Sequence, residues 1–68
     1  MDTLGDALPR EMARVRDEVM PAYQECGAAG SPALILMRRA LDAATKALAE
    51  GDVVGMINAL EDLRGWQT

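Results

Sequence analysis

The stretch SPALILMRRALDAATKALAEGD, residues 31–52, decides the fold. A serine followed by a proline is a strong helix start, because serine caps helices and proline fits a first turn. The apolar residues that follow recur every three or four positions and so form one helical stripe: Leu34, Met37, Leu41, Ala44 and Leu48. Gly51 is a helix stop, and Asp52 is a cap for the next helix. These signals predict a helix over residues 32–50.

Mostly small side chains form a second stripe beside the first on this helix: Leu36, Ala40, Ala43 and Ala47. Two adjacent stripes cover about half of the circumference, which is more than one neighbouring helix needs. The sequence therefore predicts that this helix is central and contacts two others. The alanines reflect either helix propensity alone or the close approach of another helix, and both interpretations stay open.

The segment after the Gly51-Asp52 pair predicts a third helix over residues 53–64, with these side chains facing inward: Val53, Met56, Ile57, Leu60 and Leu63. Gly55 weakens the first turn but lets another backbone approach closely. Gly65 predicts a left-handed helix stop, beyond which Trp66 can fold back on Leu60.

The segment before residue 31 predicts a first helix over residues 6–26, with one apolar stripe: Leu8, Met12, Val15, Val19, Ala22 and Cys26. Asp6 is its expected cap, and Pro9 is expected in its first turn. Pro21 lies opposite the stripe and removes one hydrogen bond, so we predict a single helix kinked at Pro21. The alternative is a break near Met20, with a short additional helix after it.

The composition agrees with an all-α fold. The chain has 68 residues, half of them hydrophobic, with no Phe and only one Trp and one Tyr. Ala, Leu and Met favour helices, whereas β-branched and aromatic residues favour strands. A chain this short buries only about 60% of its unfolded surface, so it depends on well-packed helices or on oligomerisation. We predict one domain, residues 1–68, folded as an up-down-up three-helix bundle.

Residues that commonly carry catalysis or bind metal are scarce. The chain has no histidine and one cysteine. Cys26 is expected on the apolar stripe, beside Glu25 and near a helix C-terminus, where a reactive thiolate is not favoured. The adjacent Glu61 and Asp62 point about 100° apart on a helix and form no carboxylate pair by themselves. We predict that the protein is not an enzyme and has no catalytic, cofactor-binding or metal-binding residues.

The charge argues against direct binding to nucleic acid. Eleven acidic and seven basic residues give a net charge of −4. The third helix faintly resembles a recognition helix, but it offers only Asn58 and Arg64 to bases or phosphates. Membrane-surface binding is not expected either, and the longest uncharged apolar run, residues 33–37, is too short to span a bilayer. With no signal peptide expected and a single thiol, a cytoplasmic location is predicted.

Two stretches resemble small uncharacterised helical proteins from phage and prophage gene clusters of proteobacteria. They are LPREMARVRDEVMPAY, residues 8–23, and GDVVGMINALEDLRGW, residues 51–66. The resemblance implies a cytoplasmic accessory role, in phage development or host takeover. It implies no functional residue.

The leading functional hypothesis is a small non-catalytic protein-interaction module. Ile35 and Met20 fall outside the apolar stripes, and Trp66 lies near the chain end, so these three are the candidate interface residues. A twofold homodimer through Ile35 or Trp66 is the specific form of this hypothesis. The alternative is a nucleic-acid-linked regulator that acts through a partner or by acidic mimicry.

Two packing predictions complete the sequence analysis. The short linker makes the first two helices antiparallel, which brings Arg16 and Asp42 to the same side of their seam. The most buried large side chains are predicted to be Val15, Val19, Leu34, Leu41, Leu48, Ile57 and Leu60.

Overall fold

The computed structural model describes residues 3–67, which form a bundle of three helices and confirm the all-α prediction. Met1, Asp2 and Thr68, the ends of the expected domain, lie outside the described residues. The first helix runs over residues 4–24, the second over Ser31–Glu50 and the third over Val53–Arg64. The second helix packs against both others, as expected of a central helix.

The first helix begins two residues earlier than expected because Thr3, and not Asp6, is its cap. The Thr3 hydroxyl accepts a hydrogen bond from the Asp6 N–H at 3.2 Å, and the Asp6 carboxylate accepts one from the Thr3 N–H at 3.4 Å. This reciprocal capping box stabilises the helix start. Pro9 therefore lies inside the helix and not in its first turn, at an exposed position where water can satisfy the unpaired carbonyl.

The first helix departs from α geometry just before Pro21 and not at it. It consists of α-helical Leu4–Arg14, a π-helical turn at Val15–Val19 and α-helical Met20–Gln24. In the π turn the Met20 N–H donates to the Val15 carbonyl, five residues back. The backbone remains helical through Pro21, whose carbonyl accepts from the Glu25 N–H at 3.2 Å. The segment is thus one helix, and its irregularity is the looser turn that precedes the proline.

The π turn accounts for two sequence predictions that are wrong, the positions of Met20 and Cys26. An additional residue in a helical turn rotates all later side chains by about 100° relative to a continuous α-helix. Met20 consequently faces the core with 8% exposure, although it was expected outside the apolar stripe. Cys26, expected on that stripe, lies past the helix end and is exposed.

A tight connection joins the first and second helices. Gly27 has a φ of +63°, and residues Gly27–Gly30 form a 3-10 turn that leads into Ser31. Gly30 is buried, and a Cβ there would overlap the Tyr23 carbonyl, with its carbon only 3.0 Å away. Gly30, and not Ser31, takes the cap position, and no side chain caps this helix start, so the expected serine cap is wrong. Proline does lie in the first turn, as expected.

The connection between the second and third helices follows the sequence prediction. Gly51 ends the second helix with a left-handed φ of +67°, and Asp52 caps the third by accepting from the Gly55 N–H at 3.0 Å. Gly65 has a φ of −70°, so the expected left-handed stop at that position is wrong.

The core is centred differently from the prediction. Its most buried large side chains are Leu8, Val15, Val19, Met37 and Leu63. Leu60 is buried as expected, but Leu34, Leu41 and Leu48 are only half-buried, and Ile57 is 45% exposed. Because the second helix has two neighbours, the line facing the core runs between its two stripes, through Met37, Ala40, Ala44 and Ala47. The leucines lie at one edge of that face.

The small stripe brings the second and third helices close together. A Cβ on Gly55 would lie 3.2 Å from the Ala47 Cβ, which favours close approach over propensity alone as the role of these alanines. The expected approach of Arg16 to Asp42 is replaced by a local pair, since Arg16 donates two hydrogen bonds to Asp17, at 2.8 and 2.9 Å.

Candidate interaction surface

Exposed aliphatic side chains are concentrated at the start of the third helix. Val53, Val54 and Ile57 are 57%, 68% and 45% exposed. They lie within little more than one helical turn, and Val53 and Ile57 are neighbours on one face at i, i+4 spacing. We call these three residues the aliphatic patch. Two further exposed aliphatic side chains, Ile35 and Leu36, lie on the second helix.

The patch is exposed because the third helix turns another face to the core. That face carries Ala59, Leu60 and Leu63. The turn that presents the patch is held firmly, since the Asp52 cap fixes its first residues and Gly55 packs against Ala47. A rigid helix turn with three exposed aliphatic side chains can dock against apolar side chains of another molecule.

The three candidate interface residues have different surroundings. Ile35 is 54% exposed, beside Leu36 at 50%. Met20 is buried, with 8% of its surface exposed. Trp66 is half-buried and packs edge-on against Tyr23, with ring centroids 6.1 Å apart and the planes at 88°, a contact that was not predicted.

A set of hydrogen bonds ties the end of the chain to the first helix. Arg14 donates to the carbonyl oxygens of Leu63 at 3.0 Å and Trp66 at 2.8 Å, and it pairs with Glu11 at 3.1 Å. These carbonyls belong to the last turn of the third helix and the residues after it, where intrahelical donors run out. Arg14 therefore acts as a cap from a neighbouring helix. No local signal in the sequence indicates this contact, because its partners lie 49 and 52 residues away.

A groove of about 380 Å³ lies between the second and third helices, and no residue of the first helix lines it. Its floor carries no side chain larger than a methyl group: Ala43, Ala47, Gly55 and Ala59. Polar side chains form its walls: Lys46, Glu50, Asp52, Asn58 and Asp62. We refer to this feature as the groove.

Residues 3–67 contain no group of His, Cys, Asp and Glu side chains arranged to hold a metal ion. In the same part of the chain, no helix combines the length and the apolar character needed to cross a membrane. The exposed hydrogen-bonded pair of Arg16 and Asp17 lowers the pKa of the Asp17 carboxyl, through the hydrogen bond from the guanidinium. This shift favours the ionised carboxylate that pairs with the guanidinium.

Comparisons with models of protein families, with curated proteins and with solved structures give no match for this chain. The surface features described above therefore carry the functional argument.

Proposed function

We propose that this chain is a small non-catalytic interaction module that binds another protein through the aliphatic patch. The observation that carries the proposal is the exposure of Val53, Val54 and Ile57 on a chain whose core contains many small side chains. A short chain gains stability from each aliphatic side chain that it buries, so three that stay exposed together favour a role in binding.

The surroundings of the patch indicate the chemistry of the partner. Asp52 directly precedes Val53, and Glu61 follows Ile57 at i+4, so carboxylates flank the apolar side chains. A partner surface with an apolar centre and basic side chains at its rim complements this arrangement. The resemblance to phage-cluster proteins extends the proposal to an accessory role in the cytoplasm, in phage development or host takeover.

The test compares three baits in affinity capture from the native host. The double variant Val54→Asp/Ile57→Asp places two charges in the patch, whereas Ile35→Asp places one charge at an exposed aliphatic residue of the second helix. We expect a partner that the wild type and Ile35→Asp both retain and the double variant loses. Titration of the purified partner should then give at least about tenfold weaker binding to the double variant, because desolvated charge opposes apolar burial.

Three outcomes would count against this proposal. Equal retention by all three baits would show that the patch is not the binding surface. Loss with Ile35→Asp alone would move the site to the second helix. Salt-sensitive retention of duplex DNA would favour the nucleic-acid-linked regulator.

A further inference from the structure

The first half of the second helix carries two exposed aliphatic side chains beside two arginines. Ile35 and Leu36 are 54% and 50% exposed, and Arg38 and Arg39 are exposed as well. At i+3 and i+4 spacing, the two arginines lie one turn after Ile35, one on either side of it. Arg39 is also the i+3 neighbour of Leu36. We call these four residues the basic face.

The basic face differs in charge from the rest of the chain. Residues 26–41 contain both of its arginines and no acidic residue, whereas all eleven acidic residues and five of the seven basic ones lie outside this stretch. Asp42 follows on the same side of the helix. Within residues 3–67, however, neither Arg38 nor Arg39 forms an ion pair with it or with any other carboxylate. Both guanidinium groups are therefore available to acidic groups of another molecule.

We propose that the basic face binds an acidic amphipathic helix of a partner protein, which places apolar side chains over Ile35 and Leu36 and carboxylates against the two arginines. The apolar part supplies burial, because aliphatic side chains that are half exposed lose contact with water when another helix packs on them. The guanidinium groups supply selectivity, because an arginine can hold a carboxylate through two parallel hydrogen bonds and repels a basic side chain.

The number of charges favours a protein over a lipid surface. Attachment to an anionic bilayer takes clusters of about four or more basic residues, and the basic face has two.

The basic face is also distinct from the aliphatic patch. The patch follows Asp52 and precedes Glu61, so it favours a partner with basic side chains. Ile35 lies about 20 Å along the second helix from Glu50, next to the turn at which the patch begins. The inference therefore goes beyond the proposed function, because two surfaces of opposite charge preference serve two different partners.

A displayed library of random peptides, selected on the intact chain at about 0.15 M salt, tests the proposal. We expect one class of selected peptide to combine Leu, Ile or Phe at helical spacing with Asp or Glu beside them. A synthetic peptide of this class is the probe, titrated against purified variants by fluorescence anisotropy. Ile35→Asp should raise its dissociation constant at least about tenfold, because a desolvated charge opposes apolar burial. Arg39→Glu should raise it at least about threefold, and a probe with Lys in place of Glu should bind Arg39→Glu more tightly than the wild type.

Each variant has a matched control elsewhere on the chain. Val54→Asp makes the same aliphatic-to-acid change in the aliphatic patch, and Arg16→Glu reverses the charge of an exposed arginine of the first helix. Both controls should leave the dissociation constant of the probe within about twofold of the wild type. Circular dichroism should show equal helix content in all variants.

Selection of no acidic class of peptide overturns the proposal, and so does a probe that binds Ile35→Asp as tightly as the wild type. Self-association that Ile35→Asp abolishes would place a second copy on this face, and binding to phosphatidylserine vesicles that Ile35→Asp abolishes would place a bilayer there. Either result also overturns the proposal. Capture of the patch's partner is expected to survive Ile35→Asp and to be lost with Val54→Asp/Ile57→Asp, so the two proposals fail separately.

Discussion

Arg14 connects the middle of the first helix to the end of the third helix, 49 and 52 residues later in the sequence. Its guanidinium donates to two carbonyl oxygens at the end of the third helix while its side chain remains about a quarter exposed. Hydrogen bonds from a charged donor are stronger than neutral ones, and partial burial limits how well water can replace them. Together with the edge-on contact between Tyr23 and Trp66, this arginine anchors the C-terminal segment.

Replacing this arginine should loosen that anchor. We expect Arg14→Met, which keeps an unbranched apolar stem, to lower the free energy of unfolding by about 1–2 kcal/mol. Urea unfolding followed by Trp66 fluorescence measures the change. The matched control is Arg16→Met, which removes an exposed arginine that pairs with Asp17 and should not shift the midpoint measurably. Equal midpoints for both variants would show that the carbonyl contacts do not stabilise the fold.

The π turn controls which face of the first helix is buried beyond Val15. In a continuous α-helix, the stripe predicted from the sequence would bury Cys26 and leave Met20 outside. The additional residue in the turn reverses the two positions. Pro21 is compatible with this arrangement because it has no N–H with which to complete the preceding α-helical turn.

A pair of alanine substitutions distinguishes the two geometries. With the π turn, Met20→Ala should cost about 2–4 kcal/mol, because it removes a buried side chain and leaves a cavity. Cys26→Ala should leave the unfolding midpoint unchanged, since the thiol is exposed. Thermal melts followed by circular dichroism give both values. A costly Cys26→Ala with a neutral Met20→Ala would instead indicate a continuous α-helix.

The second and third helices could be predicted because their ends are set by local signals. Pro32 and the Gly51-Asp52 pair act within one turn of the boundaries that they define. The start of the first helix also carries a local signal, because Thr3 and Asp6 have the spacing of a capping box. The prediction took Asp6 as the cap instead. The π turn depends on packing and leaves no comparable local signal. The exposure of Met20 and Cys26 was therefore predicted incorrectly. The prediction for Ile57 was wrong for a different reason, since the third helix buries the face that carries Ala59, Leu60 and Leu63.

For the molecule as a whole, the small size of the core limits stability. Five large side chains are almost fully buried, and alanines fill much of the remaining interface between helices. Domains of this size are only marginally stable, by a few kcal/mol in many cases. The loss of one central side chain is therefore comparable to the entire free energy of folding.

Leu63 provides the sharpest test of that limit, because it is fully buried while Ile57, six residues earlier on the same helix, is 45% exposed. Periodicity assigned both residues to the core. Leu63→Ala should cost about 2–5 kcal/mol, through lost apolar burial and the cavity left behind, and should leave the chain largely unfolded at 25 °C. Ile57→Ala should keep its helix content and melt close to the wild type, because its side chain belongs to the aliphatic patch. Circular dichroism melts at one fixed concentration compare the two without interference from self-association. If Leu63→Ala melts like the wild type, or Ile57→Ala is the variant that unfolds, the core lies where periodicity placed it and the third helix is rotated from the position described here.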